Sequence, residues 1–184
     1  RTTITSLASR RQALILAIER GHLAAEIGVV ISNRAHAGGI ELARAAGIEA
    51  LVLDHRQFAT REVFDERIAQ ELRAREVSLV CLAGFMRLVS RRLLEAFPDA
   101  VLNIHPSLLP SFPGVNAQQQ ALEHGVKMTG ATVHLVTGEL DGGPIVLQAC
   151  VPVEDFDTID TLSQRILVEE HRIYPEAVGI LLSG

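Results

Sequence analysis

Cysteine is scarce in this 184-residue chain: Cys81 and Cys150 are the only two, and neither belongs to a C-x-x-C or C-x-x-H pair with metal-ligand spacing. That excludes a disulfide scaffold and a cysteine-based metal site, and no metal is expected; both cysteines lie in apolar, strand-like runs and read as reduced core residues. A basic excess is also lacking. Seventeen Lys and Arg against 22 Asp and Glu give a net charge of -5 and a pI near 5.8, so neither nucleic acid nor an anionic membrane is an expected partner. The longest apolar run, Val77 to Met86, contains Ser78 and falls well short of the ~20 residues that span a bilayer. A signal peptide is not expected either, because Arg1-Thr2-Thr3-Ile4-Thr5 is polar and the next apolar block is interrupted by Arg10 and Arg11. A cytoplasmic location follows as an expectation, and the opening Arg1 in place of Met points to residues upstream. G-x-G-x-x-G is missing after the first candidate strand, which argues against a dinucleotide-binding module.

What is present is a normal globular balance, 48% apolar and 21% charged, too rich in Leu, Ile, Val and Ala for a disordered chain. The length fits one domain, residues 1–184, able to bury a core without staples. Short β-branched runs alternate with segments of helical period, as in a mostly parallel sheet flanked by crossover helices. Candidate strands are Ile27–Ile31, Leu51–Leu53, Leu79–Ala83, Val101–Asn103, Ala131–Leu135 and Ile145–Val151; candidate helices are Ala8–Arg20, Gly39–Ala46, Thr60–Arg75, Ser90–Ala96 and Gln118–His124. A long last helix, Thr158 to Leu182, has Thr158 as N-cap and Pro175 as a kink or stop. The fold class is α/β and Rossmann-like, with its site expected at the carboxyl ends of the strands.

The densest polar cluster, Asn103-Ile104-His105-Pro106-Ser107, stands where the run Val101-Leu102 ends. Residues two apart in a strand share a side, so Asn103 and His105 can project into one crevice. An amide beside an imidazole can hold a developing oxyanion and move a proton, while Pro106 keeps His105 extended. The alternative is a pair that caps a strand end and bonds loop carbonyls. Pro106, Pro110, Pro113 and Gly114 stiffen the following loop, as befits a segment that positions chemistry. A second cluster, Thr137-Gly138-Glu139-Leu140-Asp141-Gly142-Gly143-Pro144, is either a plain glycine-rich turn or a loop that presents the Asp141 carboxylate to a ligand or to His105. If the two meet, the carboxylate holds the imidazole in one tautomer and favours its charged form. His22, His36, His55 and His124 sit in helical or turn surroundings, and His134 reads as a supporting rather than a catalytic histidine.

Four motifs in order, Leu82-Ala83-Gly84-Phe85-Met86-Arg87, Asn103-Ile104-His105-Pro106-Ser107-Leu108-Leu109-Pro110, Leu140-Asp141-Gly142-Gly143-Pro144 and Glu169-Glu170-His171-Arg172-Ile173-Tyr174-Pro175, resemble the phosphoribosylglycinamide formyltransferase family across roughly residues 26 to 182. The resemblance implies a formyltransferase fold and transfer of a formyl group from 10-formyltetrahydrofolate to the amino group of glycinamide ribonucleotide in purine synthesis. It implies Asn103, His105 and Asp141 as the catalytic residues. It places the folate against Met86, Arg87, Leu88 and Val136 through Asp141 (Val136, Thr137, Gly138, Glu139, Leu140, Asp141), and the nucleotide near Arg61, Asn103 and Glu170. Glu170 read alone could equally be a solvated charge on a helix face. Both partners are small molecules, and a monomer or homodimer is expected.

Formyltetrahydrofolate hydrolases resemble an Asn-Ile-His-His-Ser version of the loop, and methionyl-tRNA formyltransferases carry a further domain, so Pro106 and the length favour the purine enzyme. Three departures stand out. The family opens with a hydrophobic strand and a loop resembling Ser-Gly-x-Gly-Ser-Asn that grips phosphate, whereas Thr5-Ser6-Leu7-Ala8-Ser9-Arg10-Arg11-Gln12 has no glycine, and Arg1–Thr5 is a poor sequence for a buried central strand. An altered N-terminal segment, a phosphate now held by Ser9 and Arg10 or Arg11, or loss of this substrate would each account for it. Asn116-Ala117-Gln118 replaces sequence that often contains histidine, and the chain stops at Gly184 ahead of the family's usual tail. The rival functions are a hydrolase, a formyltransferase with another acceptor, and a non-catalytic folate or nucleotide binder.

Overall fold

The computed structural model describes residues 2–5, 8–82 and 88–183, with side chains from residue 12 onward. In chain order the strands are β1 (Thr2–Thr5), β2 (Ile27–Ser32), β3 (Ala50–Val52), β4 (Leu79–Leu82), β5 (Val101–His105), β6 (Met128–Leu135) and β7 (Ile145–Pro152). The helices are α1 (Ala8–Glu19), α2 (Gly38–Ala45), α3 (Arg61–Arg73), α4 (Arg91–Ala96), α5 (Ala117–His124) and α6 (Ile159–Ser183). They build one seven-stranded sheet in the order β3-β2-β1-β4-β5-β6-β7. The first five strands run parallel, while β5–β6 and β6–β7 pair antiparallel. The expected fold class holds.

Period-two alternation sorts the sheet into two cores. Val30, Leu79, Cys81, Leu102, Ile104, Ala131, Val133, Ala149 and Val151 pack with Leu14 of α1, Ile40 of α2 and Leu162, Ile166, Ile173 and Tyr174 of α6. The opposite phase, Val29, Ile31, Val80, Leu82 and Val101, packs with Phe64, Ile68, Ala69 and Leu72 of α3 and Leu93 of α4. The second core stops at β5. Thr132, His134, Gln148 and Cys150 alternate with the inward residues of β6 and β7, so they share the face that α6 does not cover. On that open face the site is built.

Helix ends follow the local chemistry. The Thr60 and Thr158 hydroxyls each accept from a backbone N–H three residues on, Val63 and Thr161, at 3.2 Å, as N-caps do. Fully buried Asp65 of α3 accepts the Ser90 N–H at 2.6 Å and so ties the start of α4 to α3. The buried Tyr174 hydroxyl of α6 donates to the Leu82 carbonyl at 2.6 Å and lies 3.3 Å from that of Leu102, pinning the helix across the ends of β4 and β5.

Three expectations need correction. Thr2–Thr5 is a central strand, paired with both β2 and β4, because four consecutive β-branched residues fit the pleat whatever their polarity. Pro175 does not end α6, which runs 25 residues through it; Ile173, Tyr174, Ala177 and Val178 are buried on both sides of the proline, and this packing holds the helix together. Cys150 is exposed, since β7 is an edge strand with an open outer face. Cys81 is buried as expected, and burial pushes its thiol up to about 12, away from thiolate chemistry. Among the described residues no helix is long and apolar enough to cross a membrane.

Candidate active site

Asn103 and His105 leave β5 on the open face, two residues apart as a shared-face reading requires. The register pairs Asn103 with His134 and His105 with Thr132, so the four side chains form two rows across β5 and β6. Leu82, the last residue of β4, pairs with Asn103 on the other side. The site therefore begins at a carboxyl strand end, and it extends along antiparallel β6, where no crossover helix blocks the face.

His105 is 5% exposed, and both of its ring nitrogens meet oxygen acceptors. Nε2 lies 2.8 Å from the Phe112 carbonyl and Nδ1 lies 3.4 Å from Asp141 Oδ2. A cationic imidazole can donate to both. Asp141 reaches this place from the β6–β7 connection, and its Oδ2 also accepts the Gly114 N–H at 2.8 Å. Its backbone has φ 49°, a left-handed conformation that Asp tolerates better than most residues. The turn closes tightly: a Cβ on Gly143 would stand 1.8 Å from the Leu135 carbonyl oxygen, so only glycine lets the loop fold back.

His134 joins the two halves. Its Nδ1 lies 3.0 Å from the Leu135 carbonyl and carries the proton, which leaves Nε2 bare to accept the Asn103 amide at 3.3 Å. The same Nε2 is 3.6 Å from Asp141 Oδ1. The Asn103 amide and the Asp141 carboxylate thus meet at one edge of the His134 ring, the amide donating to Nε2 and the carboxylate facing it without a hydrogen bond. Burial pushes His134 below its ordinary value of 6.5, outweighing the Leu135 carbonyl and the Asp141 charge, which act the other way. Protonating it would turn an acceptor into a second donor facing the Asn103 amide. The sign follows: the unfolded chain takes this proton near the ordinary histidine value and the folded chain only at lower pH. The stability that His134 contributes is full above that value and is lost as pH falls toward the folded one. Urea unfolding midpoints from about pH 7.5 to about 5.5 should drop for the wild type and drop less for His134→Asn.

The other candidate residues scatter by element. Glu170 is 1% exposed, which excludes a solvated helix face, and it lies one turn before Tyr174 on the same side of α6. Arg61 opens α3 with its side chain 41% exposed and paired with Glu62 at 3.3 Å. Leu88 and Leu140 are exposed apolar side chains at 53% and 59%. Val136 packs on the second core, and Thr137 accepts the Glu139 N–H through its hydroxyl. Gly138 lies in the same turn with open space beside it. Met86 and Arg87 lie outside the described residues, as do the side chains of Ser9 and Arg10, though both of these belong to α1. Two participants escape a reading of side chains altogether: the Phe112 carbonyl and the Gly114 N–H are backbone groups, signalled only by the stiff proline loop that carries them.

The chain matches the Formyl transferase family over residues 2–178. It is 41% identical over 181 residues to the phosphoribosylglycinamide formyltransferase of Escherichia coli (strain K12), covering 98% of this chain and 85% of that protein. The chain belongs to the phosphoribosylglycinamide formyltransferase family. A crystal structure of glycinamide ribonucleotide transformylase 1 from Symbiobacterium toebii superposes with a TM-score of 0.98 at 51% identity, over 100% of this chain and 88% of that one. The trifunctional purine biosynthetic protein adenosine-3 of Homo sapiens is 45% identical over 181 residues, which is 98% of this chain and 18% of that protein. The chain therefore spans under a fifth of the trifunctional relatives it matches, against 85% of the Escherichia coli protein.

Proposed function

We propose that the chain transfers a formyl group from 10-formyltetrahydrofolate to the amino group of glycinamide ribonucleotide, in purine synthesis, with Asn103, His105 and Asp141 as catalytic residues. The observation that carries the reading is that residues from two separate stretches meet in one buried cluster, His105 against Asp141, with His134 contacting both Asn103 and Asp141.

The surroundings suit the folate. Leu88 and Leu140 offer apolar surface to a flat ring, and the turn from Val136 to Asp141 offers backbone groups to its polar edge. When bound, the folate supplies an electrophilic formyl carbon attached to a nitrogen leaving group. Asn103 spends one amide hydrogen on His134 and presents the other to the formyl oxygen, where negative charge grows as the amine attacks. His105 keeps its Nε2 proton and donates it as a hydrogen bond to the same oxygen in exchange for the Phe112 carbonyl. Asp141 balances the imidazolium and, directly or through a water, carries the proton lost by the attacking amine to the departing nitrogen. One carbon–nitrogen bond forms and one breaks, and the proton count closes. Glu170 and Arg61, with Ser9 and Arg10 of α1, are the groups assigned to the nucleotide. A carboxylate such as Glu170 suits the amine or the ribose hydroxyls, and the arginines suit a phosphate.

Incubation with 10-formyltetrahydrofolate, with and without glycinamide ribonucleotide, tests the assignment. The expected result is turnover only when the nucleotide is present, with formylglycinamide ribonucleotide and tetrahydrofolate formed in equal amounts. Release of formate without acceptor would make the chain a hydrolase, and folate binding without turnover on any amine would make it a binder.

A further inference from the structure

Three residues stand in one row of the sheet. His105 of β5 pairs with Thr132 of β6, and Thr132 pairs with Gln148 of β7, so all three side chains emerge on the open face. Thr132 is fully buried, and its hydroxyl is saturated. It donates to the Ser107 carbonyl at 2.7 Å, and it accepts from the Leu109 N–H at 3.0 Å and from Gln148 Nε2 at 2.9 Å. The second Gln148 hydrogen goes to the Leu109 carbonyl at 2.9 Å. Ser107 closes the same loop by donating to the Ser111 carbonyl, 2.5 Å away, with the Phe112 carbonyl at 3.4 Å. That last carbonyl holds the His105 Nε2 proton. The loop carrying it is thus anchored to the sheet through a hydroxyl whose one proton is directed toward Ser107 because Gln148 fills the remaining acceptor site.

From this network we infer that Gln148, on the edge strand and distant from the reacting atoms, is a positioning residue for His105. It fixes Leu109 and the direction of the Thr132 proton, and through the Ser107–Phe112 turn it sets the carbonyl on which the imidazole proton rests. The inference rests on the reading of His105 above for its effect on rate, and on hydrogen bonding alone for its effect on the ring.

Gln148→Glu keeps the shape of the side chain, removes both donors, and offers the Thr132 proton a carboxylate in competition with Ser107; Gln148→Leu only removes the donors. Gln148→Lys restores donors on a flexible side chain one bond longer. Because Gln148 is exposed, these substitutions leave the core intact. In steady-state assays with 10-formyltetrahydrofolate and glycinamide ribonucleotide, the Glu and Leu variants should lose kcat roughly tenfold, as small misplacements of a catalytic group do, while both KM values hold. The Lys variant should recover most of the loss. In parallel, NMR of the His105 Nε2 proton should show it protected from solvent exchange in the wild type and exchanging faster in the Glu and Leu variants. An unchanged Nε2 proton in both variants overturns the inference whatever the wild type's activity, and so does an unchanged kcat in an active enzyme. If the wild type transfers no formyl group, the function proposed above fails and the NMR comparison alone decides the role of Gln148.

Discussion

Replacing His105 with alanine should lower kcat for formyl transfer by a factor on the order of 10²–10⁴, the range that a positioned acid–base group supplies. Its imidazole has one nitrogen 3.4 Å from the Asp141 carboxylate and the other on the Phe112 carbonyl, whose place the formyl oxygen takes in the proposed step. Removing it deletes the hydrogen-bond donor and leaves the Asn103–His134 contact in place. Folate affinity, measured by equilibrium binding, should change little, because the folate wall proposed above draws on other segments. An alanine variant within threefold of wild-type kcat would show that the hydrogen bond comes from elsewhere, His134 being the nearest alternative. A variant that loses folate binding in parallel would show that His105 is a binding residue.

Asp141→Asn should lower kcat by an amount on the order of 10²–10³, comparable with the loss of one preorganised electrostatic partner. The substitution isolates charge from shape. Asparagine adopts the left-handed backbone at φ 49° as readily as aspartate, and its carbonyl can still accept the Gly114 N–H, so the loop should stay closed. What disappears is the negative charge 3.4 Å from His105 Nδ1. Kinetics with both substrates saturating give the number, and thermal unfolding within a few degrees of wild type confirms that the loop has not simply opened. An Asn variant with normal kcat would mean that the carboxylate only braces the loop.

Much of this arrangement is legible in the sequence. The alternation of β-branched runs with segments of helical period points to the mostly parallel sheet flanked by helices, and the two-residue spacing of Asn103 and His105 puts them on one side. The motif order carried the distant Asp141 to the same site. Other features were hidden because they depend on tertiary context. Thr2–Thr5 looked too polar for a central strand, yet β-branching suits the backbone and its neighbours supply the hydrogen bonds. Cys150 sits in an apolar run whose exposure to solvent only the position of β7 at the sheet edge reveals. Pro175 carries a local stop signal that burial of Ile173, Tyr174, Ala177 and Val178 overrides. His134 was legible as a supporting residue, but its place between Asn103 and Asp141 needed the β5–β6 register, which a one-residue slip would have destroyed. The Phe112 carbonyl and the Gly114 N–H are backbone groups, marked in the sequence only by the prolines of the loop that carries them.

The account holds that imidazole and carboxylate act as one unit in a single chemical step. A double-mutant cycle on kcat with His105→Ala, Asp141→Asn and the combined variant addresses this most directly. If the account is right, the combined loss falls well short of the product of the two separate losses, since the charge-balancing part of the Asp141 role vanishes with the imidazole and only its proton transfer is left to lose. Losses that multiply, so that the pair together costs the product of the two separate factors, would mean that Asp141 and His105 work independently and would contradict it.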